Sequence, residues 1–203
     1  MTTFNEQAKD WDKDPMKVER AEKLAVEIRK FVQANGKLTA LDFGCATGLL
    51  SFFLKDDFSA ITLADMSSEM IKVLNGKIQK EQLSHFKSLL LSDKKVLPTD
   101  SYDVIYTSMT LHHIPVLSSV FAQFHTSLKD NGILCIADLV KEDGSFHHHD
   151  PNFDGHNGFT KEHIEHQLIE KGFRILQNHP FYSISKNERE YPLFLLFAQK
   201  IQF

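Results

Sequence analysis

The chain has 203 residues, 42% hydrophobic and 25% charged, which suits one globular domain able to bury a core without disulfides or a structural metal. A formal charge of −4 gives no general attraction to phosphate backbones or anionic lipid, so neither nucleic acid nor a membrane is the expected partner. No apolar run reaches membrane-span length, the polar N-terminus carries no leader signature, and the only two cysteines, Cys45 and Cys135, form no C-x-x-C pair; a reducing, cytoplasmic setting is expected.

Along the chain, helix and strand signals alternate. Val18, Ala21, Ala25, Ile28 and Val32 recur at helical spacing, with Asn35-Gly36 as the stop signal. Leu38 to Phe43 reads as a buried strand, Gly44 to Gly48 as a turn, and Leu49 to Lys55 as the start of a helix. Ala60 to Ala64 is strand-like, and Ser67 caps a helix running to about Gln79. A third strand spans Phe86 to Leu91 and a fourth Tyr102 to Met109; a helix over Val116 to Leu128 and a strand over Gly132 to Leu139 follow. Short apolar strands separated by helices predict a parallel sheet covered on both faces. The ending differs. After a helix from Thr160 to about Lys171, two β-like stretches, Phe173 to Ser185 and Tyr191 to Gln199, have only a short turn around Lys186-Asn187-Glu188-Arg189 between them, so they should pair antiparallel. The expected fold class is a doubly wound α/β sheet of seven strands, mostly parallel, with an antiparallel C-terminal hairpin.

The strongest local motif is Leu41-Asp42-Phe43-Gly44-Cys45-Ala46-Thr47-Gly48, between the first strand and its helix. Glycine there permits a tight turn and close approach of a ligand to the backbone, at the carboxyl end of a strand where α/β sheets bind ligands. The spacing is not the G-x-G-x-x-G of a diphosphate site, and Asp42 suits a cationic ammonium better than a diphosphate. Asp65 ends the second strand, where a carboxylate can accept from both ribose hydroxyls, unless it serves only the helix that follows. Asp93 follows the third strand, placed to accept from an exocyclic amine, or is a solvated loop acid.

These segments resemble the class I S-adenosylmethionine (SAM)-dependent methyltransferases, especially the small-molecule branch containing ubiquinone- and menaquinone-type enzymes. LDFGCATG is similar to that family's first motif, ITLADMSSEMI to its second-strand acidic segment, SDKKVLPTDSYDVIYTSMTLHHI to its adenine-side and fourth-strand segment, and SLKDNGILCIADL to its fifth-strand motif. Ala46 and Asn131 stand where the family often has glycine. Alanine at that position suits a negative φ; a positive one would weaken cofactor binding.

The resemblance implies a Rossmann-like sheet and a single domain: 1–36 as lid and first helix, 37–140 as SAM-binding core, 141–203 as substrate-side loop, helix and hairpin. It implies a cofactor site of Asp42, Gly44, Cys45, Ala46 and Gly48, with Asp65 on the ribose. Met66 would pack on adenine, Asp93 would face its amine, Lys94 would belong to the same cofactor site, and Thr107-Ser108 would line the sulfonium. Trp11 is either a lid residue or packed under the first helix. The implied reaction is in-line methyl transfer to a small-molecule acceptor, giving S-adenosylhomocysteine (SAH), by a monomer or homodimer. A SAM-binding regulatory protein and an NAD(P)-dependent oxidoreductase are the competing classes.

Acceptor-side residues are less determined. His112-His113 follow the fourth strand; His113 is the candidate base and His112 a candidate substrate contact, unless both merely cap the loop before Pro115. The run His147 to His156 carries four histidines and two aspartates besides Pro151, Asn152, Phe153 and Gly155. No metal is expected there, because adjacent histidines in an unpinned loop do not readily converge on one ion. The segment reads as a lid with Phe146, Phe153 and His156 facing substrate, or as a plain surface loop.

Overall fold

The computed structural model describes residues 2–92, 96–148, 150 and 153–202. Seven strands form a mixed sheet, mostly parallel with antiparallel C-terminal strands. The chain divides into two compact units, residues 1–96 and 97–203.

Unit 1 contains α1 (Thr2–Gln7), α2 (Pro15–Val32), β1 (Thr39–Phe43), α3 (Leu49–Phe53), β2 (Ala60–Asp65), α4 (Ser68–Glu81) and β3 (Phe86–Leu90). The α2 helix starts three residues before its periodic pattern does. Pro15 takes the first helical position, where no N–H is needed, and the Asp14 side chain accepts from the N–H groups of Met16 and Lys17. Its end also comes early: Gln33 adopts left-handed φ of 50° and closes the helix ahead of Asn35-Gly36. The expected Ser67 cap forms, accepting from the Met70 N–H at 3.1 Å. Strands β1, β2 and β3 pair in parallel, with Asp42 opposite Leu63 and Asp65 opposite Leu90. Ala40, Leu41, Ile61, Leu63 and Ala64 are buried, as a sheet covered on both faces requires.

Unit 2 contains β4 (Tyr102–Ser108), α5 (Leu117–Ser127), β5 (Leu128–Leu139), α6 (Lys161–Glu170), β6 (Phe173–Lys186) and β7 (Arg189–Lys200). Strand β5 begins four residues earlier than the sequence suggests. Its pairing with β4 jumps from Tyr102–Leu128 to Val104–Ile133, so residues 129–132 bulge out, and Asn131 turns the bulge at φ of 62°. Asparagine tolerates that conformation, which explains why glycine is dispensable there. Strands β6 and β7 form the expected antiparallel hairpin, closed by Asn187-Glu188 with φ of 52° and 59°. Two positive φ values define the type I′ turn that matches strand twist. Strand β7 also pairs antiparallel with β5, burying Leu193 to Ala198.

Candidate functional site

In unit 1 the loop after β1 is built around two carboxylates. Asp42 is 2% exposed and accepts from the Ser51 hydroxyl of α3 at 2.7 Å. Burial pushes its carboxyl up to about 7, against that hydrogen bond and with further help from Asp65. Asp65 accepts from the Ala46 N–H through Oδ2 and from the Ser67 N–H through Oδ1, both at 2.8 Å. It therefore ties the loop to the start of α4. A carboxylate offers about four lone-pair directions, so these two bonds leave acceptor capacity. Burial raises its proton affinity more than those main-chain donors lower it.

The loop conformation shows where close approach is required. Gly44 and Gly48 have φ of 73° and 84°, and a Cβ on Gly48 would lie 2.9 Å from Leu74 Cδ1. Ala46 also adopts a positive φ, 49°, the arrangement that suits alanine poorly. Cys45 is buried, and burial pushes its thiol up, which leaves it inert. Met66 is 44% exposed at the end of β2. Asp93 and Lys94 lie outside the described residues.

The N-terminal segment reaches this loop through residues that sequence reasoning did not single out. Asp12 accepts from the Thr47 hydroxyl through Oδ1 and from Lys77 Nζ at 2.6 Å through Oδ2; Lys77 also donates to the Thr47 carbonyl at 3.0 Å. Asn5 pairs with the Ser67 hydroxyl at 2.6 Å. Trp11 has Lys17 Nζ 4.0 Å above its ring and Phe4 at 6.1 Å, so it packs against the first turn of α2 and against α1. The sequence signal for this contact is Asp12 itself, the residue after Trp11.

In unit 2, Thr107 and Ser108 end β4; Thr107 is buried and its hydroxyl has no hydrogen-bond partner among the described residues. A 3-10 turn, Leu111–His113, follows. His112 is 1% exposed and its Nδ1 lies 2.5 Å from Asp138 Oδ1, at the end of β5. Asp138 also accepts from the Leu111 and Leu139 N–H groups. Burial alone would raise the Asp138 carboxyl, yet the His112 ring and those N–H groups outweigh it and hold the carboxyl below its ordinary value.

The segment after β5 is not an unpinned loop. Val140 bridges to Phe159, the Glu142 N–H donates to the Asn157 carbonyl, and the His156 N–H donates to the His112 carbonyl at 2.7 Å. A Cβ on Gly155 would lie 2.1 Å from that same carbonyl, so only glycine fits. This pinning brings His147 to His112 and His113, with ring centroids 5.1 Å and 5.0 Å apart. Phe153 stacks on His147 at 3.9 Å, and Phe146 stands edge-on to both His112 and His147. His112, Phe146 and Phe153, expected to face substrate, are thus gathered together. His156 instead points its Nε2 at the Ile114 carbonyl, 3.0 Å away. Burial, then the neighbouring His112 and His147, push His113 down to about 3; burial and His112 push His147 down to about 4. Both shifts favour the neutral ring.

Residues 16–178 match the model of a family described as a methyltransferase domain. An uncharacterized methyltransferase of Schizosaccharomyces pombe is 32% identical over 153 residues, which cover 68% of this chain and 53% of the relative. A malonyl-[acyl-carrier protein] O-methyltransferase of Priestia megaterium is 27% identical, covering 76% of this chain and 60% of the relative. Among solved structures, phosphoethanolamine N-methyltransferase 2 of Haemonchus contortus, in complex with phosphomonomethylethanolamine and SAH, superposes with a TM-score of 0.75 at 15% identity, covering 88% of this chain and 52% of that one. The chain belongs to the methyltransferase-domain family, in its class I, SAM-dependent form. It spans between about half and three fifths of the length of these relatives.

Proposed function

We propose that this chain transfers a methyl group from SAM to a small-molecule acceptor, with SAH as the other product. Bound SAM supplies an electrophilic methyl carbon on a sulfonium, so the protein's task is alignment and exclusion of water rather than covalent catalysis. The observation that carries the reading is Asp65: a carboxylate at the end of β2, already bonded to Ala46 and Ser67, with lone pairs left for two hydroxyls. Gly44, Ala46 and Gly48 hold the backbone of the adjoining loop in a left-handed form. Asp42 provides an acid behind that loop, and Met66 an exposed apolar surface for a purine. Asp12, Thr47 and Lys77 hold the N-terminal segment against the same loop. The donor set therefore fits an adenosyl cofactor.

A small, partly apolar acceptor is supported by the Phe146, Phe153 and His112 cluster of unit 2, and by a net charge of −4 that offers nucleic acid little. The named activities of relatives, O-methylation of malonyl-[acyl-carrier protein] and in ubiquinone biosynthesis, favour oxygen as the atom methylated. Among the described residues no helix is long and apolar enough to cross a membrane; the two buried, unpaired cysteines support a reducing, cytoplasmic setting.

Calorimetric titration with SAM, SAH and NADH tests the cofactor. Binding of the two adenosyl ligands without NADH is expected, and Asp65→Ala should weaken SAH on the order of 100-fold, two charge-assisted hydrogen bonds at about 1.5 kcal/mol each. NADH binding alone, or unchanged SAH affinity in the variant, refutes the reading.

A further inference from the structure

Methyl transfer from a sulfonium does not by itself call for three converging imidazoles, yet unit 2 builds them. His112, His113 and His147 each offer a ring nitrogen, and the three atoms lie within 4.8 Å of one another. The His112 and His113 rings, adjacent in a 3-10 turn, sit 4.1 Å apart by centroid, on the same side of the backbone. Three imidazoles on one tetrahedral ion at about 2.0–2.1 Å place their nitrogens roughly 3.3 Å apart, so side-chain rotations of about 1 Å close the set.

Two further observations point to a ligand. Asp138 accepts only, so the proton it holds on His112 is at Nδ1, and the lone pair of the neutral ring is at Nε2. That Nε2 is buried and has no hydrogen-bond partner among the described residues, and the same is true of His147 Nδ1. An orphaned buried polar atom costs roughly 1–3 kcal/mol. A carboxylate behind a histidine, with the far nitrogen unpaired, is the usual outer shell of a metal-bound imidazole. The framework is also held in place. His156 and Gly155 pin the loop to the His112 carbonyl, and Phe153 stacks flat on His147.

We propose that His112, His113 and His147 bind a divalent transition-metal ion of the zinc class, with Asp138 positioning His112 and a fourth coordination site left open to water or an acceptor oxygen. Imidazole ligands suit zinc, copper, iron and nickel, and three protein ligands with one open position mark a reactive rather than a closed structural site. Three neutral ligands leave the ion its full double charge, which suits it to polarise an oxygen. The site lies wholly in unit 2 and does not depend on the cofactor reading.

Untagged protein, stripped with chelator and titrated with Zn²⁺ and Co²⁺, tests this. One ion per chain is expected, bound more tightly than about 1 μM, with a Co²⁺ visible spectrum of four-coordinate intensity. His147→Ala, at the half-buried ligand, should abolish stoichiometric binding; Asp138→Asn should weaken it 10–100-fold; His179→Ala on β6 should leave it unchanged. Circular dichroism and SAH titration on the same samples separate a lost metal site from a lost fold. Metal uptake without SAH binding sustains this site and sinks the cofactor reading. A folded wild type that takes up no stoichiometric ion, or stoichiometric binding that survives His147→Ala, overturns the proposal.

Discussion

The two units place acids at the carboxyl ends of buried strands and give them different partners. In unit 1, Asp42 and Asp65 meet only neutral donors, a serine hydroxyl and main-chain N–H groups. Burial then dominates, both carboxyls are raised, and Asp65 keeps acceptor capacity for something else. In unit 2, Asp138 meets a histidine ring and two N–H groups, and it is lowered despite complete burial. An acid among neutral donors is held in reserve for a ligand; an acid on an imidazole is committed, and acts only through that ring.

The sharpest way to break this comparison is truncation. Asp138→Ala leaves two buried N–H groups and the His112 ring without their acceptor, and should cost about 3–5 kcal/mol in urea unfolding. Half-buried Asp65, truncated in the same way, should lose mainly SAH affinity. Equal destabilisation by both would erase the distinction.

The pH dependence should differ in sign. Asp42 binds its proton more tightly folded, with its carboxyl at about 7 against an ordinary 3.8, so its contribution falls as pH rises from about 4 to 7. Asp138 is shifted the other way, so its contribution is present above 3.8 and is lost as pH falls through its lowered folded value. Urea midpoints measured from pH 4 to 8 should decline less steeply in Asp42→Asn than in the wild type; an identical slope would mean that Asp42 ionises normally.

The smallest effect concerns the loop. Ala46→Gly relieves a left-handed alanine and should tighten SAH by about 1 kcal/mol, roughly fivefold. A loss of affinity instead would show that the alanine conformation is set by the cofactor rather than by strain.

The sheet was legible in the sequence because its signals are local. Ser67 and Thr160 cap their helices through their own side chains, and a link between β6 and β7 as short as Asn187-Glu188 admits only an antiparallel pair. The glycine loop and Asp65 were legible for the same reason. Asp138 was not, because it lies within the strand read from Gly132 to Leu139, whereas Asp65 was read at the end of its strand. His147 was read together with its chain neighbours, whereas its partners lie 34 and 35 positions upstream. Long-range contacts such as the bridge from Val140 to Phe159 and the seat of Gly155 on the His112 carbonyl bring them together, and no periodicity encodes those contacts.

Strand β7 sits inside the sheet of unit 2, between β5 and β6, although it follows both in the chain. Strand β6 takes its sheet partner from β7 alone, so a chain that has reached Lys186 can hold that strand only through side-chain contacts such as Asn178 to Glu165 and Lys186 to the Phe146 carbonyl. The hairpin closes locally at the Asn187-Glu188 turn, whereas its docking on β5 joins residues far apart in the chain and is the slower kind of contact to form. Until then the seats of Leu193 to Ala198 along β5 lie bare. A nascent or heat-stressed molecule therefore exposes an unpaired, apolar strand edge there first, where aggregation would begin and a chaperone would bind.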